Sequence, residues 1–195
     1  MIKIFLAGIG GVGGKLVDVT PDYFMGVHDA LHNNAYGVLY QMHVQLRYWN
    51  SKKDNKTEKS IVNLSSYNGL RACEGCALYS ASKHAIVGLT QSAALEYAIP
   101  TENLPRIRVN SVAPGLIDTP LTRNQVKSTQ TWIGPLITED NPLWLKFKAE
   151  IEKELVGGRL GSPEQIADVI LYLSSKKASY VTGTVFSADF GSTAK

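Results

Sequence analysis

Cysteine is scarce in this 195-residue chain. Cys73 and Cys76 are the only two, spaced C-x-x-C. With no second pair and no histidine pattern beside them, zinc lacks ligands, and no metal site is expected. They read as reduced thiols in a loop ahead of a helix; a redox role is the alternative. Long apolar runs are missing too. None approaches the roughly 20 residues that span a bilayer, so no membrane partner is expected. Nor is charge of one sign concentrated: the net charge is +3, and the one dense polar cluster, Asn50–Lys59, carries both signs. No basic stripe is interleaved with aromatics, so nucleic acid is not an expected partner. The opening "MIKIFLAGIGGVGG" places Lys3 before an apolar stretch, as a signal peptide does. It is glycine-rich and lacks a clear small-residue cleavage site, and reads instead as a buried first strand of a cytoplasmic protein.

What is present is an alternation of strands and helices across one expected domain, residues 1–195. Ile2–Ala7, Ser60–Leu64, Ile107–Val112 and Gly183–Ala188 read as strands. Gly11–Val19 reads as a helix, and Thr20-Pro21 as the start of another. The stretch from Asp22 to Trp49 reads as helical with a break near Asn33-Asn34. Tyr79–Ala98, Trp144–Leu155 and the segment from Pro163 to Ser174 complete the helices. This order predicts an α/β fold, a three-layer doubly wound parallel sheet built by right-handed crossovers. Such sheets bind ligands at the carboxyl ends of their strands. The glycine cluster, Ser65-Ser66 and Pro114-Gly115 all fall there.

Within "YSASK", Tyr79 and Lys83 are four residues apart, which puts both on one helix face. A free phenol, with a pKa near 10, is a poor base at neutral pH. An ammonium about 4–5 Å away favours phenolate by roughly 3–4 kcal/mol at an effective dielectric near 20, on the order of two pK units. Ser66, thirteen residues before Tyr79 with Gly69 in the intervening turn, can hydrogen-bond the oxygen that the tyrosine protonates. Strand alternation points Ser65 the other way.

"SIVNLSSYNGL", "YSASKHAIVGLTQSAALEYA", "IRVNSVAPGLIDTPL" and "RLGSPEQIADVILYLSSKKASYVTGTVFSADFGS" together resemble the catalytic half of the short-chain dehydrogenase/reductases, continuously from Ser60 to Ser192. The resemblance implies a Rossmann-like fold and NAD- or NADP-dependent interconversion of a secondary alcohol and a ketone. It makes Tyr79 the general acid/base and, with Lys83, one of the cofactor-binding residues, and Ser66 the group that orients the substrate oxygen. Lys83 lowers the tyrosine pKa and holds the nicotinamide ribose, while Pro114, Gly115, Ile117 and Thr119 hold the nicotinamide ring. "NAYGV" resembles the family's N-x-x-G-V and makes Asn34 a fourth catalytic residue, binding a water that relays protons to the lysine. Asn33-Asn34-Ala35 also echoes the family's N-N-A-G at the end of an earlier strand.

The first half departs from the family. The usual T-G-x-x-x-G-x-G is absent; Gly8, Gly10 and Gly13 instead fit the generic G-x-G-x-x-G of a pyrophosphate-binding turn. Only about twenty residues separate that cluster from Asn34, where a mononucleotide-binding half is βαβαβ. Several N-terminal strands are therefore expected to be missing, and no acidic residue at the end of a second strand distinguishes NAD from NADP. The stretch from Leu121 to Leu155, with Trp132 and Trp144, is expected to cover the substrate. Gly88, Ser92 and Ala93 would let the long helix, residues 79–98, pair with a second copy. This suggests a homo-oligomer, or alternatively a catalytically weak family member that serves as an oligomer subunit.

Overall fold

The computed structural model describes residues 2–6, 8–10, 15, 29–52, 57–124 and 138–194. Its frame is an all-parallel sheet in the order β1-β2-β3-β4, made of Ile2–Phe5, Lys59–Leu64, Ile107–Pro114 and Val185–Ala188. β2 and β3 are buried along nearly their whole length, as parallel strands covered on both faces must be. Alternation sorts their side chains: Ile61, Ile107 and Val109 face one way, Val62 and Val112 the other.

Helices cover both faces. α1 (Gly37–Asn50) and α2 (Ala77–Tyr97) pack on the first through Val38, Met42, Trp49, Ile86 and Ala94. α5 (Pro163–Ser174) packs on the second through Ile166, Ile170 and Leu173. The three-layer arrangement is the one expected. The strand order runs in one direction while α5 lies opposite α1 and α2. Right-handed crossovers therefore cannot hold for all three connections.

β1 corrects a second expectation. It ends the sheet instead of lying buried in it, so Ile2 and Ile4 are 50% and 39% exposed and Phe5 alone is buried. It pairs directly with β2, Ile2 against Ser60 and Phe5 against Asn63. Among the described residues no strand stands between them, which fits the expected shortage. The expected helix Gly11–Val19, the Thr20-Pro21 start, Gly13 and Trp132 lie outside the described residues.

Local signals explain the helix ends. The Asn141 side-chain oxygen accepts from the N–H groups of Leu143 and Trp144 and starts α4 (Pro142–Glu154). Ser162 and Gln165 form a capping box at α5, with Pro163 in the first turn. The break near Asn34 is a π-helical turn, His32–Tyr36, running directly into α1. α2 begins two residues before the expected start, at Ala77, so Cys76 sits at its cap and not in a loop clear of it. A short helix, α3 (Pro120–Asn124), follows β3.

One buried charge ties the sheet to the last helix. Arg108 on β3 pairs with Glu58 at 2.7 Å and donates to the carbonyls of Leu173 and Ser175 at 2.8 and 3.1 Å. Those carbonyls lie at the end of α5, which α5's own ladder leaves without donors.

Candidate active site

Three strand ends meet at one cleft of about 590 Å³. Gly8 and Gly10 follow β1, Ser66 follows β2, and Pro114, Gly115, Ile117 and Thr119 come at and after the end of β3. Tyr79 and Lys83 enter from the first two turns of α2. Every predicted site residue within the described segments lines this cleft except Asn34, which stands just behind it.

The turn after β2 sets the geometry. Ser66 keeps extended backbone, φ −163° and ψ 161°, and caps the 3-10 turn Tyr67–Gly69 by accepting from the Asn68 N–H at 3.2 Å. Its hydroxyl lines the cleft together with the Tyr79 phenol, near enough to pull the phenol's pKa down. Ser65 goes the other way and donates to the Lys83 carbonyl at 2.9 Å, so alternation does separate the two serines. Gly69 makes this packing possible. A Cβ there would lie 2.3 Å from Ser65 Oγ and 2.8 Å from the Lys83 carbonyl oxygen, closer than atoms can approach.

Lys83 is 4% exposed, and no carboxylate pairs with it among the described residues. Its ammonium donates to the Leu64 carbonyl at 3.1 Å. Burial without a counter-charge pushes its pKa down to about 8. Tyr79 moves the opposite way from expectation. Burial pushes the phenol up, the Ser66 hydroxyl only partly offsets this, and Cys76 and Cys73 raise it further. The ammonium stands over the ring, 5.6 Å from its centroid. Helical spacing put the two on one face, but the lysine reaches back to the strand end and not to the phenol oxygen.

Asn34 is fully buried in the π-helical turn, and therefore on a helix and not at a strand end. Its side-chain oxygen accepts from the Ile9 N–H at 2.8 Å. Its NH₂ donates to the Ile9 carbonyl at 2.9 Å and to Ser82 Oγ at 3.1 Å. The amide thus clamps the glycine loop to α2. A Cβ on Gly8 would lie 3.2 Å from Lys83 Nζ and 3.3 Å from Asn34 Oδ1, so bare backbone passes close to both. Gly115 is similarly constrained, since a Cβ there would lie 2.9 Å from the Asp189 Cα. Thr119 contacts Thr122, whose N–H and hydroxyl lie 3.4 and 3.3 Å from its Oγ1.

The far wall holds residues to which the resemblance gave no individual role. Asn68 lines the cleft with a buried side-chain oxygen that has no hydrogen-bond partner among the described residues. Phe147 from α4 and Ile166 and Ile170 from α5 supply apolar surface. Asp118 fixes α4 against this rim, accepting from Arg123 Nε at 2.8 Å and Lys148 Nζ at 3.0 Å. Burial opposes its ionisation, but the two cations hold its carboxyl below the usual carboxylate range. Nothing local in the sequence distinguishes these positions, because their role depends on which elements meet.

Known proteins resemble this chain. A family model described as enoyl-(acyl carrier protein) reductase matches residues 2–193. The short-chain dehydrogenase srdC of Neurospora crassa is 39% identical over 134 residues, covering 69% of this chain and 42% of that protein. The chain spans about half the length of the curated relatives it matches. The ligand-free aldohexose dehydrogenase of Thermoplasma acidophilum superposes with a TM-score of 0.80 at 29% identity, covering 100% of this chain and 68% of that one. ElxO with NADP bound gives a TM-score of 0.77 at 25% identity, covering 100% and 67%.

Proposed function

The chain belongs to the short-chain dehydrogenase/reductase family, and from that premise we propose that it interconverts a secondary alcohol and a ketone with NAD or NADP. The observation that carries this reading is the convergence of Ser66, Tyr79 and Lys83 in the wall of one cleft that also holds the glycine loop. The residues fit a nicotinamide dinucleotide. Gly8 and Gly10 offer bare backbone for close approach, and Lys83 presents a buried ammonium beside them. ElxO, whose structure holds NADP, shares the fold over the whole of this chain.

Nicotinamide supplies or accepts the hydride when bound. Tyr79 donates its phenolic proton to the carbonyl oxygen during reduction and takes it back during oxidation. Ser66 holds that same oxygen. Lys83, over the face of the phenol ring, would hold the coenzyme's ribose, while Asn34 keeps the glycine loop in register with α2. A phenol pushed up by burial is protonated at neutral pH and is therefore ready for the reductive direction.

The test is turnover of NADH and NADPH against a panel of ketones and alcohols, with coenzyme binding measured by calorimetry. Tyr79→Phe should lower turnover by about 10²–10⁴-fold while coenzyme binding and the thermal melt stay unchanged. Absence of turnover by the unaltered chain, or undiminished turnover by the variant, overturns the reading.

A second reading, a catalytically weak oligomer subunit in the cytoplasm, draws on one observation. Tyr36 at the end of the π-helical turn and Tyr40, Val44 and Tyr48 on α1 form an exposed stripe at helical spacing, and Leu95 on α2 is 83% exposed. Homo-oligomerisation through this layer is compatible with either reading. Gly88 and Ser92 are exposed for such a contact, whereas Ala93 is buried and packs inside the chain.

A further inference from the structure

The reaction proposed above leaves Cys73 and Cys76 unused, although Cys76 lines the same cleft. Both are free and half-buried. Between them the chain closes a four-residue turn. The Cys76 N–H donates to the Cys73 carbonyl at 3.3 Å, and Gly75 takes φ +74° at the third position. That φ is the one a type II turn demands there. A turn of this kind brings its first and fourth Cα atoms to within about 7 Å, the outer limit a disulfide can bridge. The backbone turn thus sets the two thiols side by side ahead of α2.

Their surroundings divide the labour. Burial first, and then Cys73, push the Cys76 thiol up to about 12. Cys76 therefore keeps its proton, which leaves Cys73 as the candidate to attack. An attacking thiol needs thiolate character and access, while a resolving thiol needs only to stand beside the sulfur it will attack.

We propose that Cys73 and Cys76 form a reversible dithiol–disulfide pair at the mouth of the cleft, with Cys73 attacking, Cys76 resolving, and a low-molecular-weight disulfide as the oxidant. Cys73 thiolate attacks one sulfur of the oxidant, breaking its S–S bond and releasing one thiol, which takes up the proton Cys73 gave. Cys76 then loses its proton and attacks the Cys73 sulfur, forming the Cys73–Cys76 bond and releasing the second thiol. The two cysteines are oxidised by two electrons, and the reagent disulfide is reduced to two thiols. The pair lies close enough to Tyr79 and Tyr67 that charge on either sulfur raises both phenols. It also caps the helix that carries Tyr79.

The experiment equilibrates the full chain in oxidised and reduced glutathione mixtures, followed by acid quench, alkylation and intact mass. The unaltered chain should lose two hydrogens and both alkylatable thiols together as the buffer becomes oxidising. Cys76→Ser should stop at a glutathione adduct on Cys73. Cys73→Ser should stay reduced, with Cys76 alkylating several-fold more slowly than Cys73 does in Cys76→Ser. Far-UV dichroism checks that both variants fold. The proposal is overturned if the unaltered chain stays reduced throughout, if it accumulates adducts without closing, or if Cys76 alkylates faster than Cys73. These thiol readouts need no coenzyme or substrate, so they stand or fall separately from the oxidoreductase reading.

Discussion

The ionisable residues of the cleft are held away from their solution behaviour chiefly by burial, and Lys83 carries the most testable case. Its pKa falls from 10.5 to about 8, so the unfolded chain binds more protons than the folded one between those values. Stability contributed by this group therefore rises as pH increases through that window. Below pH 8 the full burial cost is present, on the order of 3 kcal/mol. The Cys76 thiol acts oppositely above its ordinary value of 9.0, since its folded form stays protonated up to about 12. Comparison with Lys83→Met removes that contribution, because both chains carry Cys76. Urea denaturation at pH 7 and pH 9 should show the unaltered chain gaining about 1 kcal/mol relative to the variant. Equal pH slopes would mean that Lys83 is solvated or paired.

At the scale of elements, the site depends on how closely the turn after β2 packs on α2. Gly69 sets that distance, and its Cβ would meet a serine hydroxyl on one side and a helix carbonyl on the other. Only the hydroxyl can turn away, so Gly69→Ala must push α2 outward. Overpacking of this kind costs about 1–3 kcal/mol. Lys83 and Ser66 belong to the two displaced elements, so turnover should fall in step with the loss in thermal stability. A variant with unchanged melting and activity would show that the turn and helix are not locked together. The sequence marked Gly69 only as a turn residue. The requirement for close approach comes from α2, whose position a linear pattern does not give.

For the whole molecule, the layer formed by α1 and α2 covers the sheet on its inner side and leaves an apolar stripe outward. Exposed apolar patches of this kind mark interaction surfaces. Placing charges at the centre of the stripe, Tyr40→Lys with Val44→Lys, should convert an oligomer to a monomer in sedimentation velocity while leaving far-UV dichroism unchanged. A monomeric unaltered chain, or an unchanged assembly in the variant, contradicts the homo-oligomer. The sheet edge at β1, with Ile2, Ile4 and Leu6 exposed, is a second apolar feature of the same scale.

The sequence by itself determined the layered α/β architecture, the four strands, and the convergence of Ser66, Tyr79 and Lys83. Strand alternation and helical spacing are local periodicities that fix which residues share a face. It also marked the break at Asn34, though not its form as a π-helical turn. Three things were decided only by the tertiary structure. β1 lies at the sheet edge because of which strands flank it. The phenol is raised chiefly by burial, while the Lys83 ammonium donates to the Leu64 carbonyl. Asn34 clamps Ile9 because two segments 25 residues apart meet there. Solvation and long-range contact depend on the whole packed chain, and no short stretch of residues contains them.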